Sequence, residues 1–196
     1  MQRLMILPIT FMLAACTDTC IPKKEINNST INASDKLEAI KARGVSQADG
    51  LMSAIKPALM QSLQADPTGE SGMMVCANAA MPLTDNYNAQ LSADSKVRRT
   101  ALKYRNPTNK PDTKDIEVMN NIIASKNLAP VIVEMNDSYR VYKPLSMTQP
   151  CLACHGDLKT MNKQTKEKIK EYYPKDLAAG FKLGEFRGVI VSEIKK

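Results

Sequence analysis

Cys151-Leu152-Ala153-Cys154-His155-Gly156 is the segment that most limits what this chain can become. Cys-x-x-Cys-His is the attachment pattern of a c-type haem. Two thiols at that spacing sit on one short turn and reach the two vinyl-derived carbons of a porphyrin edge. The imidazole that follows lies over the macrocycle with a nitrogen for iron. A chain so modified has to fold around a flat, rigid, apolar plate. The only His in the 196 residues follows the only Cys-x-x-Cys. With five Cys and one His in the chain, about 0.0005 such matches are expected by chance. Three other readings compete. Zinc needs a fourth ligand and usually a His well separated from the Cys pair. A redox dithiol belongs at a strand-to-helix junction, which Pro144 and Pro150 do not suggest. A structural disulfide gives no reason for the adjacent His.

The chain is long enough for one domain with an N-terminal extension. It has 43% hydrophobic residues, no Trp and only 5% aromatics, so a macrocycle would supply much of the missing flat apolar area. Net charge is +7. Without residues 1–15, whose one charge is Arg3, it is about +6, and two ionised haem propionates bring it to about +4. That excess suits an acidic redox partner or an anionic surface, and equally a solvated exterior of scattered Lys. No nucleic-acid-binding motif is present.

Residues 1–15 read as a signal peptide: a short basic start, then an apolar run too short to span a membrane as a helix. Leu13-Ala14-Ala15-Cys16 looks like a bacterial lipobox, which implies cleavage before Cys16 and its acylation. Several acyl chains give durable anchoring. Thr17 is not the Asp associated with inner-membrane retention, so the expected location is the periplasmic side of the outer membrane. The alternative is a plain secretory signal and a soluble periplasmic protein. Residues 16–33 are polar and read as a tether. Cys20 in it is either unpaired or a partner for Cys76. Asn27 and Asn136 stand in acidic-x-Asn-x-Ser sequences that resemble bacterial N-glycosylation acceptors.

From residue 34 onward the reading is one c-type haem-binding domain. Ser34-Asp35 with Glu38 suggests a helix cap, and apolar residues at helical spacing predict one long helix to about residue 65. Gly44, Gly50 and Pro57 are expected to bend or interrupt it. A second helix is expected over 69–80, stopped by Pro82 and carrying Cys76 among small residues. Cys76 is either packed against a flat ring or a buried core thiol. Residues 96–105 alternate as a strand; Arg99 and Arg105 on one side either hold propionates or belong to a solvated face. Asp112 or Thr113 caps a helix to about 125, with Ile116, Met119, Ile122 and Ile123 inward. Strands are expected at 131–135, 139–142 and 186–194, and a polar helix at 163–172. The pattern is α+β with a small antiparallel sheet. With one His, the far side of the iron is left to Met, Cys, Lys or an open position. Met147 and Met161 are the nearest methionines.

Four segments together resemble a known family: Met73-Met74-Val75-Cys76-Ala77; Arg99-Thr100 through Arg105-Asn106-Pro107-Thr108-Asn109-Lys110-Pro111; the Cys151–His155 motif; and Tyr173-Pro174-Lys175-Asp176 through Gly180, Gly184 and Arg187-Gly188. Over about 35–194 the chain is similar to periplasmic c-type haem proteins with a PAS-like fold, found alone or as sensory domains of bacterial signalling proteins. Arg98, Ala101 and Glu185 depart from the pattern. The resemblance implies about five antiparallel strands flanked by helices, one covalent haem on Cys151 and Cys154, and iron held by His155 and Cys76. Thiolate ligation would in turn give a low potential, since thiolate favours ferric iron, and release of Cys76 on reduction would open a position for a small gaseous ligand. The family's sensors signal to an output in the same chain. None follows here, so a separate redox or signalling partner is expected. The alternative is a small electron-transfer cytochrome. No acid-base pair suggests an enzyme.

Overall fold

The computed structural model describes residues 32–196. Helix α1, Ala33–Ala65, runs for 33 residues, about 50 Å at 1.5 Å per residue. Its cap is Asn32, whose side chain accepts the Asp35 N–H at 2.8 Å, two residues before the expected Ser34. The expected interruption does not occur: Pro57 sits inside a continuous helix. Gly44 serves packing instead. A Cβ there would lie 2.5 Å from the Val141 side chain, and the Gly44 carbonyl accepts the buried Ser192 hydroxyl at 2.7 Å. Only a residue without a side chain lets this helix lie so close to the sheet.

The expected helix over 69–80 is two helices, α2 at Glu70–Asn78 and α3 at Ala80–Gln90. Pro82 does not stop a helix. It stands in the first turn of α3, where its missing N–H costs nothing. Strand β1, Ser95–Thr100, is shorter than the expected 96–105. Residues 101–105 peel away from the sheet into a 3₁₀ turn, Pro107–Asn109, and Arg105 is tied to groups outside it. Helix α4, Thr113–Ser125, begins with a full capping box between Asp112 and Asp115. Strands β2, Val131–Glu134, and β3, Ser138–Ser146, form the expected hairpin. A 3₁₀ turn, Gln149–Cys151, leads into the single turn α5, Leu152–His155. Helix α6, Lys163–Tyr172, and strand β4, Phe186–Lys195, complete the described residues.

The fold is α+β, with four antiparallel strands in the order β1-β4-β3-β2 rather than about five. β4 is central. Its alternation sends Ile190 to a core with Leu51 and Ile55 of α1, Ala80 and Val97, and sends Val189 and Val191 to a core with Val118, Met119 and Ile122 of α4. The sheet is therefore covered on both faces.

The inward face of α4 is 115, 118, 119 and 122. Ile116 and Ile123, expected inward, are 41% and 46% exposed. Pattern reading places an Asp outward, yet Asp115 is fully buried because the sheet supplies its partners. Arg98 donates to both carboxylate oxygens at 2.8 Å, and the Tyr142 hydroxyl donates at 3.2 Å.

Candidate cofactor cleft

The Cys-x-x-Cys-His segment lies between two small cores. Cys154 packs with Met73, Met161, Ile169 and Tyr173; Cys151 and Leu152 pack against Met147, Ala178 and Phe181. Gly156 closes the turn, its N–H donating to the Leu152 carbonyl at 2.9 Å.

The loop 176–181 holds His155. Its Nδ1 is 2.6 Å from the Ala178 carbonyl oxygen. A carbonyl only accepts, so the proton is on Nδ1 and Nε2 keeps a free lone pair. The Phe181 N–H donates to the His155 carbonyl at 3.0 Å and the Gly180 N–H to the Gly156 carbonyl at 2.8 Å. The Phe181 ring stands edge-on to the imidazole, with centroids 6.3 Å apart. Lys103 and Arg187 lie over that ring at 4.2 and 5.3 Å.

Helix α2 brings Cys76 to the same place. It starts at Gly69, whose φ of 92° is a left-handed conformation that suits glycine. A Cβ there would lie 3.0 Å from Cys154 Sγ and 3.1 Å from the Ala153 Cβ, so α2 begins directly on the motif. The Cys154 thiol donates to the Gly69 carbonyl at 3.2 Å. Farther along, the Tyr173 hydroxyl donates to the Cys76 carbonyl at 3.3 Å.

Between these elements are two adjoining cavities of about 200 and 320 Å³. Both are lined by Cys76, His155, Arg187 and the apolar Met52, Ile55 and Leu59. The larger adds Cys151, Cys154 and Met147; the smaller adds Arg99, Arg105 and Tyr173. Met161 is buried in the core beneath Cys154 and does not line either cavity.

The smaller cavity is rich in cations. Arg105 and Asp176 form an ion pair at 3.1 Å, only 6% and 9% exposed. Among the described residues, Arg99 and Arg187 have no carboxylate partner. Arg99 Nε and Arg105 Nη1 are buried without a hydrogen bond. Such orphaned donors are costly unless an acceptor fills the space beside them. Burial lowers the Arg99 pKa. Burial, and then the neighbouring Arg105, push Arg187 down to about 10. Burial pushes the Cys76 thiol up, against the pull of Arg105, Arg99 and Arg187, and pushes Cys154 up to about 11. His155 falls well below the ordinary imidazole value, first through burial and then through Arg105 and Arg187.

A depressed His155 predicts an acid-labile polypeptide. An unfolded imidazole takes up a proton below about pH 6.5, whereas the folded one does not. The unfolded state then binds more protons, and stability falls as pH drops from that point toward the folded pKa. Denaturant melts of the polypeptide without any bound group should show this slope, and His155→Gln should remove it. A flat profile between pH 6.5 and pH 5 would contradict the buried, neutral ring.

The structure thus brings Cys151, Cys154, His155, Cys76, Arg99 and Arg105 to one cleft. Cys16, Cys20 and Asn27 lie outside the described residues. Cys76 is a free thiol among the described residues. Arg187 and Tyr173 were not singled out as site residues, although both stand in the segments that carry the family resemblance. Among the described residues no three His, Cys, Asp or Glu converge on one point, so a zinc-type ligand set is not assembled there.

A four-stranded antiparallel sheet between helices, with a Cys-x-x-Cys-His turn opening on a cation-lined cleft, defines a small α+β cofactor-cleft domain. A family model described as Tll0287-like matches residues 24–194, and the chain belongs to that family. This agrees with the resemblance drawn from the four segments. Among solved structures, the chain is similar to one described as the crystal structure of the cyanobacterial haem-protein Tll0287. The TM-score is 0.62 at 24% identity, covering 84% of this chain and 97% of that one, which establishes the shared fold. No curated protein matches.

Proposed function

We propose that this chain is a covalent c-type haem protein that responds to redox state or to a small gas, rather than an enzyme. The observation that carries the reading is the joining of the Cys-x-x-Cys-His turn to a cleft that also holds Cys76 and orphaned guanidinium nitrogens. The residues present fit the group. Cys151 and Cys154 offer two thiols on one turn, and His155 offers a free Nε2. Met52, Ile55 and Leu59 offer an apolar wall. Arg99 and Arg187 are two uncompensated cations, matching two propionates in charge. When bound, the haem supplies a one-electron couple and an iron position that a gas can occupy.

Each residue then has a task. Cys151 and Cys154 would hold the macrocycle covalently, and His155 would offer Nε2 to the iron. Cys76 would offer a second sulfur donor from α2, with Arg105, Arg99 and Arg187 pulling toward the thiolate against the burial that raises its pKa. The lipobox at Cys16 supports a membrane-tethered location outside the cytoplasm. Among the described residues no helix is long and apolar enough to cross a membrane. Simple electron transfer is the second reading, favoured by the rigid hold on His155, since a fixed ligand changes little between oxidation states.

The test is the absorption and EPR spectrum of the haem-loaded protein beside Cys76→Ala, made in a host that attaches c-type haem. The expected result is a thiolate-type low-spin ferric signal in wild type that disappears in the variant. A signal that survives rules out Cys76 as ligand. Carbon monoxide added to the reduced protein separates the two functions: a spectral change supports the responsive reading, and an unchanged six-coordinate spectrum supports electron transfer.

A further inference from the structure

We infer that Arg105 is a positioning residue that sets the strength of the His155 hydrogen bond, and through it the electron balance of the iron site. The inference rests on the haem reading above and goes beyond it. Arg105 looks from its sequence like a propionate anchor, but most of its donors point elsewhere. Its Nε and Nη2 grip Asp176 Oδ1 and Oδ2 at 3.1 Å each. The two Nη2 hydrogens also serve the Cys154 carbonyl at 2.7 Å and, shared with Asp176, the Ala178 carbonyl at 3.1 Å. Asp176 Oδ1 in turn accepts the Ala178 N–H at 2.9 Å. Ala178 is therefore held at both its N–H and its carbonyl by one buried ion pair, and its carbonyl is the acceptor of His155 Nδ1–H.

Two donors share that carbonyl, and one is a cation. A guanidinium draws electron density from the oxygen and leaves it a weaker acceptor for the imidazole. A weaker Nδ1–H bond makes Nε2 a poorer electron donor, because the partner of the far nitrogen tunes the basicity of a ligating His. Arg105 thereby favours the reduced state. Its bond to the Cys154 carbonyl ties the motif backbone to the same ion pair.

The charge of Arg105 would favour reduction even without this geometry, so the decisive variant is Arg105→Lys. It keeps the cation beside Asp176 and loses the fork that reaches the Ala178 and Cys154 carbonyls. Spectropotentiometry of the haem-loaded variant should show the ferrous-to-ferric ratio at a fixed ambient potential falling roughly tenfold, about 59 mV for one electron. A ratio equal to wild type overturns the inference, because charge alone would then account for Arg105. A second measurement needs neither the variant nor the haem. In wild-type polypeptide made without haem attachment, nitrogen NMR should find the Nδ1–H tautomer of His155 and slowly exchanging Arg105 guanidinium protons. The opposite tautomer, or fast exchange at Arg105, also overturns it. Failure of wild type to acquire haem in the loading host would sink the haem reading itself, and that outcome is distinguishable from both.

Discussion

Serine at both Cys151 and Cys154 is expected to abolish covalent haem attachment completely. A hydroxyl does not form the thioether, so purified protein should have the mass of its processed polypeptide and lose its colour on acid-acetone extraction. Either single substitution should leave one bond and an intermediate, partly extractable product. The loss should not come from unfolding. Cys154 is buried beside Met73 and Ile169, but its thiol faces the Gly69 carbonyl at 3.2 Å, where a serine hydroxyl finds an acceptor. The cost of that exchange is about 1 kcal/mol, small for a domain with cores on both faces of its sheet. Circular dichroism of the double variant should match that of the haem-free wild type. A double variant that still carries non-extractable haem would show that attachment lies elsewhere.

Asp115→Ala is expected to cause a large loss of stability from outside the cleft. The carboxylate is fully buried and takes both arms of Arg98, the Tyr142 hydroxyl and the Asp112 N–H. It joins the first turn of α4 to β1 and β3. Removing it leaves Arg98 without its closest partner, with Arg140 3.6 Å from the lost oxygen, and empties one half of the capping box. Breaking one side of a buried pair costs about 3–5 kcal/mol. That corresponds to a fall in melting temperature of roughly 10 °C for a domain of this size. Asp115→Asn keeps shape and part of the hydrogen bonding and should lose less. Haem content per folded molecule should be unchanged in both, because the network lies on the α4 side of the sheet and the cleft lies among α1, α2 and α5. A loss under about 1 kcal/mol for Asp115→Ala would mean that the pair contributes little beyond its own desolvation.

The parts of this fold that were legible in the sequence are those specified locally. Helix α6 has the expected bounds because Asn162 accepts the Gln164 and Thr165 N–H groups at its start and Pro174 follows its end. The β2–β3 hairpin follows from apolar residues either side of Asn136-Asp137-Ser138. The motif, the cap at Asp112 and the small residues around Cys76 are equally local signals. What was not legible depends on distant partners. Helix α3 is polar and contains Pro82, so it shows little periodicity. The Asn88 side chain pairs with the Val97 N–H at 2.7 Å and its carbonyl at 2.9 Å, which fastens α3 to β1 from outside. The inward turn of Asp115 needs Arg98 and Tyr142. The hold of Arg105 needs Asp176, 71 residues later. Alternation through 96–105 carried no sign that the strand would stop at Thr100.

Chain order also bears on how the proposed haem site would be made. Among the described residues β4 is the last strand in sequence and an inner strand in space, paired to both β1 and β3. β1 has no strand partner, and β3 has only β2, until residues 186–195 emerge, and the long-range pairing that follows is slow. Residues 151–155 are synthesised some thirty positions earlier, so during N-to-C emergence they pass through an interval as open, unpaired chain. An apparatus that attaches a haem outside the cytoplasm would reach both thiols and the imidazole in such an interval, before the loop at 176–181 takes hold of the His155 ring.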